Sequence, residues 1–254
     1  MLTKDTANLF GIECPEDYAY VEKNLADVRA RLAAAAKRGK NAPPTLIAVT
    51  KSASDDEVRA LVAAGVDAIA ENRAQLFVAR AAILDDMAAR AADANLAHRT
   101  PDIHLIGSLQ TNKVKYVVER AASIQSLDSE RLAAEIEKQA AKRGVTARVL
   151  IEVNSGREEA KGGLMPEEVR GFAEGLSRFP HLMPQGLMTM GPDCDDPEEY
   201  RPYFRLTRSL AEELSAAGLL PSRPILSMGM SGSYEIAAEE GATHVRVGRT
   251  LFVK

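Results

Sequence analysis

The sequence predicts an α/β protein, a single (β/α)8 TIM barrel with an extra helix ahead of its first strand. Three observations carry that expectation. The chain has 254 residues, 46% of them hydrophobic, enough for one sizeable core at the roughly 250-residue length usual for such barrels. Eight short apolar runs recur along it with helical patterns between them, and strands separated by helices pair in parallel. No G-x-G-x-x-G follows the first run, which argues against an open dinucleotide-binding sheet. One domain is therefore expected over residues 1–254, the extra helix at 15–40 and the barrel at 44–252.

Each element has a local cause. Pro15 can open the first helix, and Val21, Leu25, Val28 and Leu32 follow on one face. Strands are expected at 46–50, 66–70, 103–106, 124–127, 147–153, 186–190, 225–228 and 244–247. Asp128 is placed to cap a helix over 129–141, Pro166 to open another, and Asp196-Pro197-Glu198-Glu199 combines a cap, a first-turn proline and an early acid. Gly144, Gly218 and Gly241 fall where helices should end. The alanine-rich stretch 74–97 reads as a solvated helix, broken near Asp93-Ala94-Asn95, with no chemistry of its own.

Composition excludes several function classes. The formal charge is -4 with both signs interleaved, so no basic face is expected for nucleic acid or anionic lipid. The start Met1-Leu2-Thr3-Lys4-Asp5 lacks a signal-peptide pattern, and no apolar run approaches the roughly 20 residues that span a bilayer. A cytoplasmic location is the expectation. Cys14 and Cys194 stand alone and suggest packing or surface positions, not a disulfide framework or a metal site.

The polar residues collect at the carboxyl ends of the strands, where barrels keep their chemistry. The first buried strand closes on Lys51. A buried ammonium needs a partner or serves as an amine kept for chemistry. Glu71-Asn72-Arg73 follows the second strand, Ser231-Gly232-Ser233 the seventh, and Gly248-Arg249-Thr250 the eighth. Glycines, hydroxyls and free backbone N–H groups after strands seven and eight suit a phosphate. His244 and Arg246 share one face of the last strand, so Arg246 needs an acceptor: an internal partner such as Glu71 or Glu152, or a ligand near Lys51. An imine-forming lysine, a phosphate cradle and an inward arginine together suggest pyridoxal 5'-phosphate (PLP), its ring nitrogen toward Arg246. A phosphosugar aldolase or isomerase also uses a strand-end lysine and the same phosphate site. It would need an acid/base pair beside the lysine, for which only Glu71 offers itself.

With those residues in view, the chain resembles the pyridoxal phosphate homeostasis proteins, PLP barrels related to the N-terminal domain of alanine racemase. The resemblance runs from about Asp17 to Phe252. It rests on Ala48-Val49-Thr50-Lys51, on Glu71-Asn72-Arg73-Ala74-Gln75, and on the run from His104-Leu105-Ile106-Gly107 to Gln110-Thr111-Asn112-Lys113. Lys161-Gly162-Gly163, Gly186-Leu187-Met188, Leu226-Ser227-Met228-Gly229-Met230-Ser231 and Val245-Arg246-Val247-Gly248 continue the series. It implies that Lys51 forms the imine, that Arg246 faces the pyridine nitrogen, and that Asn72 lies near the ring. It also implies cofactor contacts from Met228, Ser231, Gly248 and Arg249, with Thr250 supplying a hydroxyl where Arg249 stands in place of the family's usual Thr or Ser. Ala70 for Gly and Ile103 for Trp are further departures.

An arginine opposite the pyridine nitrogen can only donate, which leaves the ring a poorer electron sink. The sequence ends at Lys254, shortly after the eighth strand. The further domain and tyrosine base of the related racemases are therefore not expected. The expectation is reversible PLP binding, for buffering or delivery to PLP-dependent apo-enzymes, by a protein that is a monomer and carries no catalytic residues. A PLP-dependent amino-acid racemase and a Schiff-base phosphosugar lyase are the alternatives.

Overall fold

The computed structural model describes residues 4–158 and 160–254. The apolar runs form β1 (Thr45–Val49), β2 (Ala68–Glu71), β3 (Asp102–Leu105), β4 (Ser123–Leu127), β5 (Ala147–Val153), β6 (Leu182–Thr189), β7 (Ile225–Ser227) and β8 (His244–Val247). Each pairs in parallel with the next, and β8 returns to β1 to close the barrel. The closing register sets Ile47 beside Arg246 and Leu46 beside Val245. The expected barrel is therefore the observed one. The second strand starts two residues later than expected and takes in Glu71, because β2 follows β3 in register as far as Glu71 opposite Leu105.

Among the described residues the α-helices are α1 (Lys4–Leu9), α2 (Ala19–Arg38), α3 (Asp55–Ala63), α4 (Ala74–Asp93), α5 (Glu130–Arg143), α6 (Val169–Gly175), α7 (Arg201–Ala216) and α8 (Tyr234–Glu239). The extra helix begins as a 3-10 turn at Pro15–Tyr18 and continues as α2, which buries the expected face of Val21, Leu25, Val28 and Leu32. At the end of α2, a Cβ on Gly39 would stand 2.2 Å from the Glu239 carbonyl oxygen. Only a residue without a side chain lets α2 approach the end of α8 that closely. The short α1 was not anticipated. Between β3 and β4 the crossover is a 3-10 segment, Thr111–Tyr116.

Two local expectations change. Ser129, not Asp128, caps α5, its hydroxyl accepting from Leu132 N at 3.4 Å, which leaves the Asp128 carboxylate free to face the barrel mouth. The helix at 74–93 is not merely solvated: it buries Phe77, Arg80, Ile83, Leu84 and Met87. It stops where expected, with Asn95 at a φ of 52°. The other caps follow the sequence. Asp196 accepts from Glu198 N at 2.9 Å, and Gly144 ends α5 in the left-handed conformation with φ 65°.

The main core lies between the strands and the helices, where Ile69, Phe77, Ile103, Ile136 and Phe204 are all buried. Inside the barrel the lining is divided. Ile47, Ala68 and Ala70, with Ile106 against them, fill one side. His104, Ser123, Gln125, Glu152, Ser227 and Arg246, all buried, occupy the other. A barrel interior is ordinarily filled by branched apolar side chains, and buried polar groups persist only when they are bonded to one another. The polar half therefore has to be a network, and it runs up to the mouth where the candidate site lies.

Candidate cofactor site

Lys51 is held in place by its neighbours on both sides of the strand end. Thr50 N donates to Ala70 O at 3.1 Å, and Thr50 Oγ1 donates to Glu71 Oε1 at 2.6 Å. From α4, Arg80 Nη2 donates to the carbonyls of Thr50 at 3.4 Å and Ala53 at 2.5 Å, while its Nε reaches Glu71 at 3.3 Å. Arg80 also pairs with Asp55. Ser54 closes the turn as the cap of α3, in a reciprocal capping box with Glu57. The backbone around Lys51 is thus clamped while its own side chain stays exposed. Burial pushes the Glu71 carboxyl upward from its usual value, against the hydrogen bond from Thr50 and the charge of Arg80. Arg80 is what keeps a buried acid tolerable beneath the turn.

The mouth holds a cavity of about 770 Å³, bordered by Lys51, Asn72, Glu152, Ser231, Arg246 and Arg249 together with Gly248. That is the size of a small-molecule site. Asn72 is fixed from outside: a Cβ on Gly107 would lie 2.2 Å from the Asn72 carbonyl oxygen, so the loop after β3 packs directly on the loop after β2. The side-chain Oδ1 of Asn72 is buried without a hydrogen-bond partner.

Two strands round the barrel from Lys51, the loop after β7 is folded by its own backbone. Ser233 N and Tyr234 N both donate to Met230 O at 2.8 Å, and Met230 N donates to Ser233 Oγ at 3.1 Å. Gly229 makes this possible: its φ is +90°, and a Cβ there would meet the Ala237 Cβ at 2.4 Å. Gly248 N donates to Ser231 Oγ at 3.4 Å, joining the loops after β7 and β8. A Cβ on Gly248 would press on the Val49 carbonyl oxygen at 3.2 Å. Arg249 is exposed and, among the described residues, makes no ion pair. An open glycine at 232, a serine hydroxyl and an uncommitted guanidinium suit a phosphate.

Arg246 is 3% exposed. It donates from Nη1 to Ser227 Oγ at 2.7 Å and from Nη2 to Thr189 O at 2.8 Å. Neither of the acids suggested by the sequence is its hydrogen-bond partner. Glu71 goes to Arg80, and Glu152 acts on Arg246 only through its charge. Burial lowers the Arg246 guanidinium to about 10, which leaves it cationic at neutral pH. Burial raises the Glu152 carboxyl to about 7, with the Asp128 charge adding to the rise and Arg246 opposing it.

The structure brings Lys51, Asn72, Ser231, Arg246, Gly248 and Arg249 to one cavity and leaves two expected residues off its wall. Met228 is wholly buried, with its N donating to His244 O at 3.1 Å. It supports the strand end from behind. Thr250 sits one position further along the turn and borders an adjoining groove with Tyr20, Lys23 and Asn24. Sequence reasoning missed Glu152 and Cys194 as cavity residues. For Glu152 the signal was there: it alternates with Ile151 and Val153 of the main core on β5 and so faces inward. Cys194 had been assigned to packing or surface and carried no signal. No groups of three or more His, Cys, Asp or Glu suited to a metal occur among the described residues. No helix among them is long and apolar enough to cross a membrane.

Fold and site together define a barrel of the alanine racemase type, and residues 22–254 match the family model described as the alanine racemase N-terminal domain. The chain is 41% identical over 217 residues to the pyridoxal phosphate homeostasis protein of Aquifex aeolicus, covering 85% of this chain and 89% of that one. With the protein of the same name from Helicobacter pylori it shares 34% identity over 209 residues, covering 82% and 86%. The chain belongs to the family of pyridoxal phosphate homeostasis proteins. Among solved structures it is similar to PipY of Synechococcus elongatus, determined with PLP bound, with a TM-score of 0.76 and 30% identity over 92% of this chain and 100% of that one. Alanine racemase of Clostridium difficile shares the fold, with a TM-score of 0.70 at 17% identity over 93% of this chain and 57% of that one.

Proposed function

We propose that this protein binds pyridoxal 5'-phosphate reversibly through Lys51 and buffers or delivers it. The observation that carries the proposal is the single cavity bordered by Lys51, Asn72, the cationic Arg246 and the joined loops at Ser231 and Gly248. The residues fit the cofactor. Lys51 would attach it through its amine, Ser231, Gly248 and Arg249 would hold its phosphate, and Arg246 would donate to its ring nitrogen. Bound there, PLP supplies a carbonyl carbon and an electron-withdrawing ring. Arg246 tempers the second property, because a guanidinium that is already fully protonated gives the ring nitrogen a hydrogen bond but no proton. Met228 and Thr250 take supporting positions in this reading.

Transient contact with PLP-dependent apo-enzymes, a monomeric state, one domain over the chain and residence in the cytosol belong to the same proposal. The test is direct. Purified protein titrated with PLP should turn yellow, and borohydride reduction should fix one pyridoxyl phosphate per chain on the peptide containing Lys51. Lys51→Ala should do neither. Robust racemisation of alanine or serine by the wild type, lost in Lys51→Ala, would replace the carrier with the racemase. A colourless protein whose lysine is trapped only with a carbonyl substrate would favour the phosphosugar lyase.

A further inference from the structure

Behind the cofactor cavity, the polar residues of the barrel interior other than Glu152 form one continuous chain of hydrogen bonds. Arg246 Nη1 donates to Ser227 Oγ at 2.7 Å, and Ser227 Oγ donates to Gln125 Oε1 at 2.7 Å. Gln125 Nε2 donates to Ser123 Oγ at 3.3 Å, and Ser123 Oγ meets His104 Nδ1 at 2.8 Å. The chain crosses from β8 through β7 and β4 to β3, and His104 borders a second opening at the far end of the barrel.

Counting protons fixes the direction of the links as far as Ser123. Arginine only donates, so Ser227 Oγ accepts from it and has one proton left, which must go to an acceptor. That acceptor is the carbonyl oxygen of Gln125, so the amide nitrogen of Gln125 has to point the other way. Ser123 then accepts from the amide and has its own proton free for His104 Nδ1. The chain of bonds ends at that imidazole, and a ring with its proton on Nε2 completes it. A neutral His104 agrees with the burial of that ring and the neighbouring His244, which together lower it to about 4.

We infer that Gln125 is a positioning residue for Arg246: through Ser227 it fixes the roll of the guanidinium and thereby which donors face the cofactor ring. Thr189 O holds only the other Nη, and a planar fork pinned at one nitrogen can still roll. With Ser227 locked by Gln125, the fork is pinned at both. Gln125 touches no part of the cavity wall, so any effect on the ring must travel through Arg246.

This inference rests on the proposed function, and the experiment separates the two. PLP is titrated into the wild type, Gln125→Met, Arg246→Gln and the double variant, following dissociation constant and the pH profile of the visible band. Gln125→Met should weaken PLP binding roughly 10-fold, as loss of a residue orienting a direct contact does, and should shift the pH profile toward that of Arg246→Gln. In the Arg246→Gln background it should add little, because the two act as one unit. Gln125→Glu keeps the acceptor for Ser227 and should retain near wild-type affinity, which guards against a variant that merely fails to fold. In cofactor-free protein, nitrogen NMR should show His104 with Nδ1 unprotonated at neutral pH. Additive losses, or a Gln125→Met protein with the wild-type pH profile, would overturn the positioning role while leaving the carrier intact. A wild-type protein that takes up no PLP would overturn both.

Discussion

At the scale of single residues, position within the strand decides what each polar group can do. Lys51 and Arg246 are both at the cavity, but one is exposed in the turn that follows β1 and the other lies inside the barrel with its fork bonded. The phosphate assignment turns on a difference of one residue. Arg249 borders both the cavity and the groove beside Tyr20 and Lys23, whereas Thr250 borders only the groove. Arg249→Ala should therefore weaken PLP binding by about 10-fold, the worth of a partly exposed charge-assisted contact, and Thr250→Val should change it by less than about 2-fold. Pyridoxal, which lacks the phosphate, should bind Arg249→Ala and the wild type alike. Equal losses for PLP and pyridoxal would place Arg249 elsewhere. Lys51 and Arg246 were legible in the sequence because each breaks an apolar pattern at a strand end or on a strand face. Gln125 was not, since one polar residue within a short run is compatible with either face until the register is known.

At the scale of elements, the eight strands and the end of α2 could be read from periodicity and turn residues, whereas the role of α4 could not. Its arginine looks like any other charge on an alanine-rich helix, and only the packing of α4 against β2 brings Arg80 under the Lys51 turn. That clamp makes two predictions. Arg80→Met should cost about 3–5 kcal/mol in urea unfolding, because it strands the buried Glu71 carboxylate. Adding Glu71→Gln should recover most of that loss, since a neutral amide keeps the bond to Thr50 without a buried charge. Ser54→Ala removes one half of the capping box on α3 and should cost about 1 kcal/mol. If the Arg80 single variant were no worse than the Ser54 one, the clamp would be ornamental and the turn would owe its shape to backbone bonds alone.

At the scale of the whole molecule, the half-polar interior couples stability to pH in two opposed ways. Burial lowers His104 and His244 to about 4 from 6.5. Between those values the unfolded chain binds protons that the folded one refuses, so stability is fully present above pH 6.5 and is lost as pH falls toward 4. Glu152 runs the other way. Its carboxyl is raised to about 7 from 4.5, so the folded state holds a proton that the unfolded chain releases, and stability is lost as pH rises from 4.5 to 7. Over pH 4.5–6.5 the slopes oppose each other, but two histidines act against one carboxyl, so the stability of the cofactor-free protein should still rise with pH there, less steeply than the histidines alone would make it. Glu152→Gln removes one slope and leaves the other. The variant should match the wild type near pH 4, where Glu152 is protonated in both states, and exceed it by up to about 3 kcal/mol at pH 8, the equivalent of the Glu152 shift at about 1.36 kcal/mol per unit. Urea unfolding across this range measures both limbs. A Glu152→Gln protein no more stable than the wild type at pH 8 would mean that the carboxylate finds compensation when it ionises, from the Arg246 charge that acts on it. In that case Arg246 would turn from the ring nitrogen toward Glu152, and PLP affinity should fall as pH rises through 7.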